Sequence, residues 1–170
     1  MPKSELASGL DAIQMRLAPE LKARGFRVRG RTFNRQSTDG LIQVVNIQMG
    51  SFDPPGTTYR LGLRENLYGR FTVNLGVYVP EVATIHGGGA AKDWVREYNC
   101  CIRARLGELG AEEADLWWSI ARPDEVVGDL MPRIRHDSMF FFATYESRDA
   151  DVPGSGVRGI FGSRLLAAKR

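Results

Sequence analysis

Two cysteines stand side by side at Cys100 and Cys101, and two histidines lie at His86 and His136. A zinc site needs three or four thiolate, imidazole or carboxylate ligands at suitable spacing. The cysteines lack a second Cys-x-x-Cys set and the histidines are far apart, so no metal is expected. Neighbouring strand residues point to opposite faces, so the two thiols cannot close an ordinary disulfide with each other. Cys100 reads as a core residue and Cys101 as a partly exposed thiol. Without a disulfide framework, a reduced, cytoplasmic protein is expected. His86-Gly87-Gly88-Gly89 matches the short oxyanion loop of some lipases and esterases. That chemistry also needs a serine in a Gly-x-Ser-x-Gly elbow and alternating βαβ units, and the chain has neither. A plain glycine loop is the better account. No Walker loop, dinucleotide fingerprint or kinase set is present. Glu65, Glu97, Glu108, Glu112 and Glu113 form no recognisable acid–base pair, and Glu112-Glu113 with Asp115 reads as solvated loop charge. No cofactor is expected.

The more informative polar residues lie inside strand-like segments. In residues 26–34, Phe26 and Val28 alternate with Arg27, Arg29 and Arg31, which predicts one half-buried strand. Residues 41–49 form a second strand with Leu41, Val45, Ile47 and Met49 inward. Ser37-Thr38-Asp39-Gly40 supplies the turn of an antiparallel hairpin between them. Residues 71–79 are the clearest strand: Phe71, Val73, Leu75, Val77 and Val79 face one way, Thr72, Asn74, Gly76 and Tyr78 the other. Residues 101–106 set Ile102, Ala104 and Leu106 against Cys101, Arg103 and Arg105, and residues 116–120 form a fifth, short extended segment. If these strands neighbour one another, one face carries Arg31, Asn46, Gln48, Asn74, Tyr78, Arg103 and Arg105 together. Asparagine is a poor strand former, so Asn46 and Asn74 need a reason to be there. Either they form a structural hydrogen-bond network, or they line a groove for an anionic or amide-bearing partner. Of Trp117 and Trp118, one is expected in the core and the other, taken as Trp117, over the groove or at a protein interface.

Helices flank the strands. Leu6, Leu10, Ile13, Leu17 and Leu21 recur at three and four, predicting a helix over 4–24 with Ser4 as N-cap and Gly25 as its end. Pro19 predicts a kink or restart. Pro123-Asp124-Glu125 opens a second helix with Val126, Val127, Leu130 and Ile134 on its apolar stripe, and Pro132 predicts a kink. Residues 139–145 are its last turns or a final strand. Residues 50–69 read as a long loop with a shorter extended piece near 59–63, and 91–97 as a short helical turn. The order helix, strands, helix predicts an α+β domain: an antiparallel sheet of about 4–6 strands with an N-terminal and a C-terminal helix packed on one face.

The chain has 170 residues and a formal net charge of +3, and 19 of its 23 basic residues are Arg. A chain of this length buries about 70% of its unfolded surface and needs no staple to fold. Residues 1–148 read as one domain and 149–170 as a mobile basic tail. No apolar run approaches the roughly 18 residues of a membrane span, and the N-terminus lacks the apolar stretch of a secretory signal. Arg-rich strands and a pI of about 9.1 give nucleic-acid binding some support. The RNA-recognition signature is absent and the net charge is small, so that reading ranks low.

Residues 21–26 (LKARGF), 30–35 (GRTFNR), 45–48 (VNIQ), 71–78 (FTVNLGVY) and 101–106 (CIRARL), with Trp117-Trp118 after them, fall in the order seen in a bacterial family. The chain resembles the "domain of unknown function 4304" family from about residue 5 to about 145. The resemblance implies no catalytic residues and no established activity. It places Arg31, Asn46, Gln48, Asn74, Arg103 and Arg105 at recurring polar positions. Some small stand-alone bacterial domains are immunity proteins that neutralise toxins by direct binding, an analogy only. The expected function is therefore a non-catalytic domain binding a protein partner through its Arg/Asn/Gln sheet face, immunity-like in its sharpest version. The alternatives are an enzyme of unrecognised type using the same groove, with Asn74, Arg103 and His86, or a weak nucleic-acid binder.

Overall fold

The computed structural model describes residues 4–50, 67–85, 93–110 and 114–146. The first helix, α1 (Glu5–Ala23), starts at Ser4, whose hydroxyl accepts the Ala7 N–H at 3.2 Å. Its buried stripe is Leu10, Ile13, Leu17, Ala18 and Leu21. α1 runs through Pro19 as one element, not as two. Pro19 and Met15 are both exposed, so the missing donor falls on the solvent side, where its cost is lowest. Gly25, at φ 85°, ends the helix. The Gly25 N–H reaches the Lys22 carbonyl and the Phe26 N–H reaches Leu21, a Schellman closure.

The expected single strand over 26–34 is instead a tight hairpin. β1 (Arg27–Arg29) turns at Gly30-Arg31 into β2 (Thr32–Gln36), with Arg29 opposite Thr32. Gly30 supplies φ 59° at the turn, a conformation open to glycine without a Cβ penalty. β3 (Ile42–Met49) and β4 (Arg70–Tyr78) follow, then a short helix α2 (Pro80–Ile85). After a 3-10 turn at Glu97–Asn99 come β5 (Ile102–Arg105), a second 3-10 turn at Leu106–Leu109, and β6 (Trp118–Ser119). α3 (Pro123–Arg135) and α4 (Asp137–Thr144) complete the fold. The sheet has six strands, all paired antiparallel, in the order β1-β2-β3-β4-β5, with β6 also beside β4. This is the expected α+β class.

Register separates two faces, because residues directly opposite each other point the same way. Phe33, Val45, Leu75 and Ala104 form one apolar row, with Val73 and Ile47 beside it. They merge with α1, α3 and α4 into one core holding Leu10, Leu130, Ile134 and Phe142. Gln43 is 1% exposed on this face, and it is satisfied: it accepts from Arg35 Nε at 2.7 Å and donates to the Phe142 carbonyl at 3.4 Å. Residues 139–144 are helical and Tyr145 is their C-cap, so the apolar run is α4 and not a final strand. α3 continues through Pro132, and the bend lies four residues on, at His136 between α3 and α4. The Ser138 hydroxyl donates to the Ile134 carbonyl across the bend at 2.7 Å. Glu20 ties α1 to α3, meeting Arg24 at 2.8 Å and Arg135 of α3 at 2.9 Å.

The His86 glycine loop, the extended piece near 59–63, the Glu112-Glu113 pair and the 149–170 tail lie outside the described residues. No described helix is long and apolar enough to cross a membrane.

Candidate functional site

The second sheet face is built from polar rows. Thr32, Asn46, Asn74 and Arg105 stand opposite one another across β2, β3, β4 and β5, and Asn34, Val44, Gly76 and Arg103 form the next row. Strand period thus brings Asn46, Gln48, Asn74, Tyr78, Arg103 and Arg105 to one face. Asn46 Nδ2 donates to Thr32 Oγ1 at 2.9 Å, and Asn74 Nδ2 donates to Gln48 Oε1 at 2.5 Å. These bonds use one side of each amide. They account for asparagines inside strands, since a buried amide needs a partner.

Part of this face is covered. Asn34, 2% exposed, donates to the Val95 carbonyl at 3.0 Å and accepts the Val95 N–H at 2.8 Å. Its side-chain amide imitates a neighbouring strand and fixes residues 93–100 over the sheet. Val95 then packs with Val44, Tyr78 and Cys100 in a small second core. Tyr78 is 4% exposed, so this residue of the expected binding set is a packing residue beneath that segment.

Between the covering segment and α4 lies a groove of ≈1110 Å³ that wraps the β5 edge. Asn46, Gln48 and Asn74 lie along it with Arg103 and Arg105 on the polar side. Ile102, Ala104, Phe141 and Tyr145 line the apolar side. Tyr98 is 68% exposed and Phe140 78% exposed, and both line this groove. β5 is the end strand of the sheet path and pairs with β4. Among the described residues nothing pairs with its outer edge.

The groove charges are partly balanced. Arg105 is ion-paired to Asp115, lies 5.2 Å over the Trp117 ring, and lends its backbone N–H to Glu108 at 3.1 Å. Arg103 is more than half exposed and sits 3.7 Å from Glu97. Burial pushes the Glu97 carboxyl above its ordinary value, and the Arg103 and Arg105 charges pull it back only in part. Burial also raises the Cys101 thiol, opposed by the Val79 carbonyl contact. Cys100 is raised further, by burial and then by the charges of Glu97 and Cys101. Thiols held protonated in this way are the reverse of an activated nucleophile. No cluster of three metal-ligating side chains occurs among the described residues. Hydrogen bonding and apolar contact are what the groove offers.

Arg31 is not in the groove. It occupies the β1–β2 turn and bonds Asp11 of α1 at 3.0 and 3.1 Å and the Ala7 carbonyl at 3.3 Å. The hairpin moves it off the strand face where simple alternation had placed it. Trp117 reaches the site indirectly, stacked with Arg105, while Trp118 is buried and donates to Asp129 at 2.6 Å. Sequence reasoning missed Arg96, Tyr98 and Phe140 as groove residues, and Glu97 and Glu108 as more than isolated carboxylates. For Phe140 a signal existed. Three consecutive phenylalanines on a helix span about 200° of its circumference, more than one buried stripe covers, so one had to turn outward, and Phe140 is that one. His86, named in the enzyme alternative, lies outside the described residues.

A family model described as Domain of unknown function (DUF4304) matches residues 17–142. No curated protein and no solved structure matches the chain.

Proposed function

The chain belongs to the DUF4304 family, and we propose that it is a non-catalytic binding domain that receives a protein partner in the β5 groove. One observation carries this reading: the two most exposed large hydrophobic side chains among the described residues, Tyr98 and Phe140, line the same groove as the amide and arginine rows. Solvent-exposed aromatics beside arginine, next to buried apolar floor, are the composition of a protein–protein hot spot. The formal net charge of only +3 over 170 residues gives little of the basic footprint that a nucleic-acid ligand needs. An immunity-like role, in which the bound protein is a toxin, is the sharpest version of the proposal.

The test is capture from the native host with the wild type, Y98A/F140A and R103A, followed by reconstitution with the purified partner. The proposal expects the partner to bind the wild type, to be lost from the aromatic double variant, and to weaken on R103A. All three proteins should keep the same thermal midpoint. A partner retained equally by all three would move the binding surface elsewhere on the domain.

A further inference from the structure

The groove wraps a strand edge that no described residue pairs with, and this suggests how a partner is held. We infer that the β5 edge receives an extended segment of the partner protein as an added antiparallel or parallel strand, with alternating apolar and acidic side chains. The inference rests on the protein-partner reading above and specifies the chemistry of its ligand.

Strand addition needs an edge whose backbone groups are open. β5 pairs with β4 on one side, and no described residue pairs with it on the other. The Arg105 N–H faces this edge and is already taken by Glu108, so by strand alternation the open N–H and C=O pair is that of Arg103. Main-chain hydrogen bonds along such an edge give affinity, and alternate side chains give specificity. The alternation follows from register. A residue added opposite Arg103 points to the polar side, beside Arg103 in the row of Gly76 and Val44. Its neighbours point to the other side, toward Ile102, Ala104 and Phe141.

The polar-side positions call for an acid. Arg103 is 57% exposed and its Glu97 contact is long, at 3.7 Å. Arg96 lines the groove, is exposed, and has no side-chain partner among the described residues. A carboxylate placed between these two guanidiniums gains two charge-assisted contacts. The apolar positions meet a wall of Phe141 and Tyr145, whose rings are 5.2 Å apart, with Phe140 exposed at its rim.

The probe is a hexapeptide alternating glutamate and valine, blocked at both ends, titrated into the full chain by two-dimensional NMR. Three comparison peptides go with it: lysine in place of glutamate, the same composition in blocks, and the alternating peptide N-methylated at every second backbone nitrogen. The inference expects saturable shifts at Ile102, Arg103 and Ala104 with the alternating acidic peptide. It expects at least tenfold weaker binding for each comparison peptide, and several-fold weaker binding to R103A. Equal binding of the N-methylated peptide overturns strand addition, and equal binding of the lysine peptide overturns the acidic assignment. No binding at millimolar peptide overturns the inference as a whole. The wider reading fails by a different result: a captured partner indifferent to Y98A/F140A.

Discussion

Asn34 ties down the segment that supplies Arg96, Glu97 and Tyr98 to the groove, although it does not line the groove itself. Its amide makes a two-bond clamp with the Val95 backbone while 2% exposed. Replacing it with alanine removes both bonds and leaves a buried N–H and a buried C=O without partners. A neutral hydrogen bond contributes about 1 kcal/mol net, and an orphaned buried polar group costs about 1–3 kcal/mol. Some relaxation or water entry will recover part of that, so N34A should lose roughly 2–4 kcal/mol. For a chain of this length about 2–4 °C accompanies each kcal/mol, so its thermal midpoint should fall by roughly 5–15 °C. N34D separates the two bonds: its carboxylate still accepts the Val95 N–H but faces the Val95 carbonyl with a lone pair instead of a donor. It should therefore lie no closer to wild type than N34A. Circular dichroism gives the midpoints, and hydrogen exchange reports the site itself, since Val95 N–H protection should collapse in N34A ahead of β4. A midpoint within 1 °C of wild type, with Val95 still protected, would refute the claim that this clamp fixes residues 93–100.

Three further outcomes follow from contacts around the same segment. A Cβ at Gly76 would stand 2.6 Å from Cys100 Sγ and 2.8 Å from Cys100 Cβ, so G76A should cost about 1–3 kcal/mol by overpacking, and C100A should relieve part of it in a urea-unfolding cycle. Burial raises the Glu97 carboxyl. The folded state then holds that proton more tightly than the unfolded state, and stability falls as pH rises from the ordinary glutamate value through the raised folded one. The stability of E97Q relative to wild type should increase across that window, and a flat or decreasing difference argues against a desolvated Glu97. Both thiols are raised by burial, so the native protein should react slowly with a thiol reagent at pH 8, Cys101 before Cys100, and two fast equivalents would contradict the burial.

The sheet was legible where side-chain period and burial coincide. β4 alternates without interruption, and the same period placed Asn46, Gln48, Asn74, Arg103 and Arg105 on one face. Period alone does not say what covers a face. Tyr78 and Asn34 are buried by residues 93–100, a non-local segment whose 3-10 turn carries no periodic pattern. Arg31 was misplaced for a local reason: 26–34 reads as one alternating strand unless Gly30 is taken as a turn residue. Pro19 and Pro132 both lie within continuous helical spans, Pro19 on an exposed side of α1, and the boundary between α3 and α4 falls at His136. The groove itself was not legible, since its walls come from β5, the Glu97–Asn99 turn and α4, which are distant in sequence.

The most direct test of the account is the backbone amide shift map of the full chain titrated with the alternating glutamate–valine hexapeptide. The account predicts the largest shifts at Tyr98, Ile102, Arg103, Ala104 and Phe140, with Arg31 and Met15 unmoved. Shifts centred on Arg31 or Met15, or none at millimolar peptide, would contradict a strand-binding groove at β5.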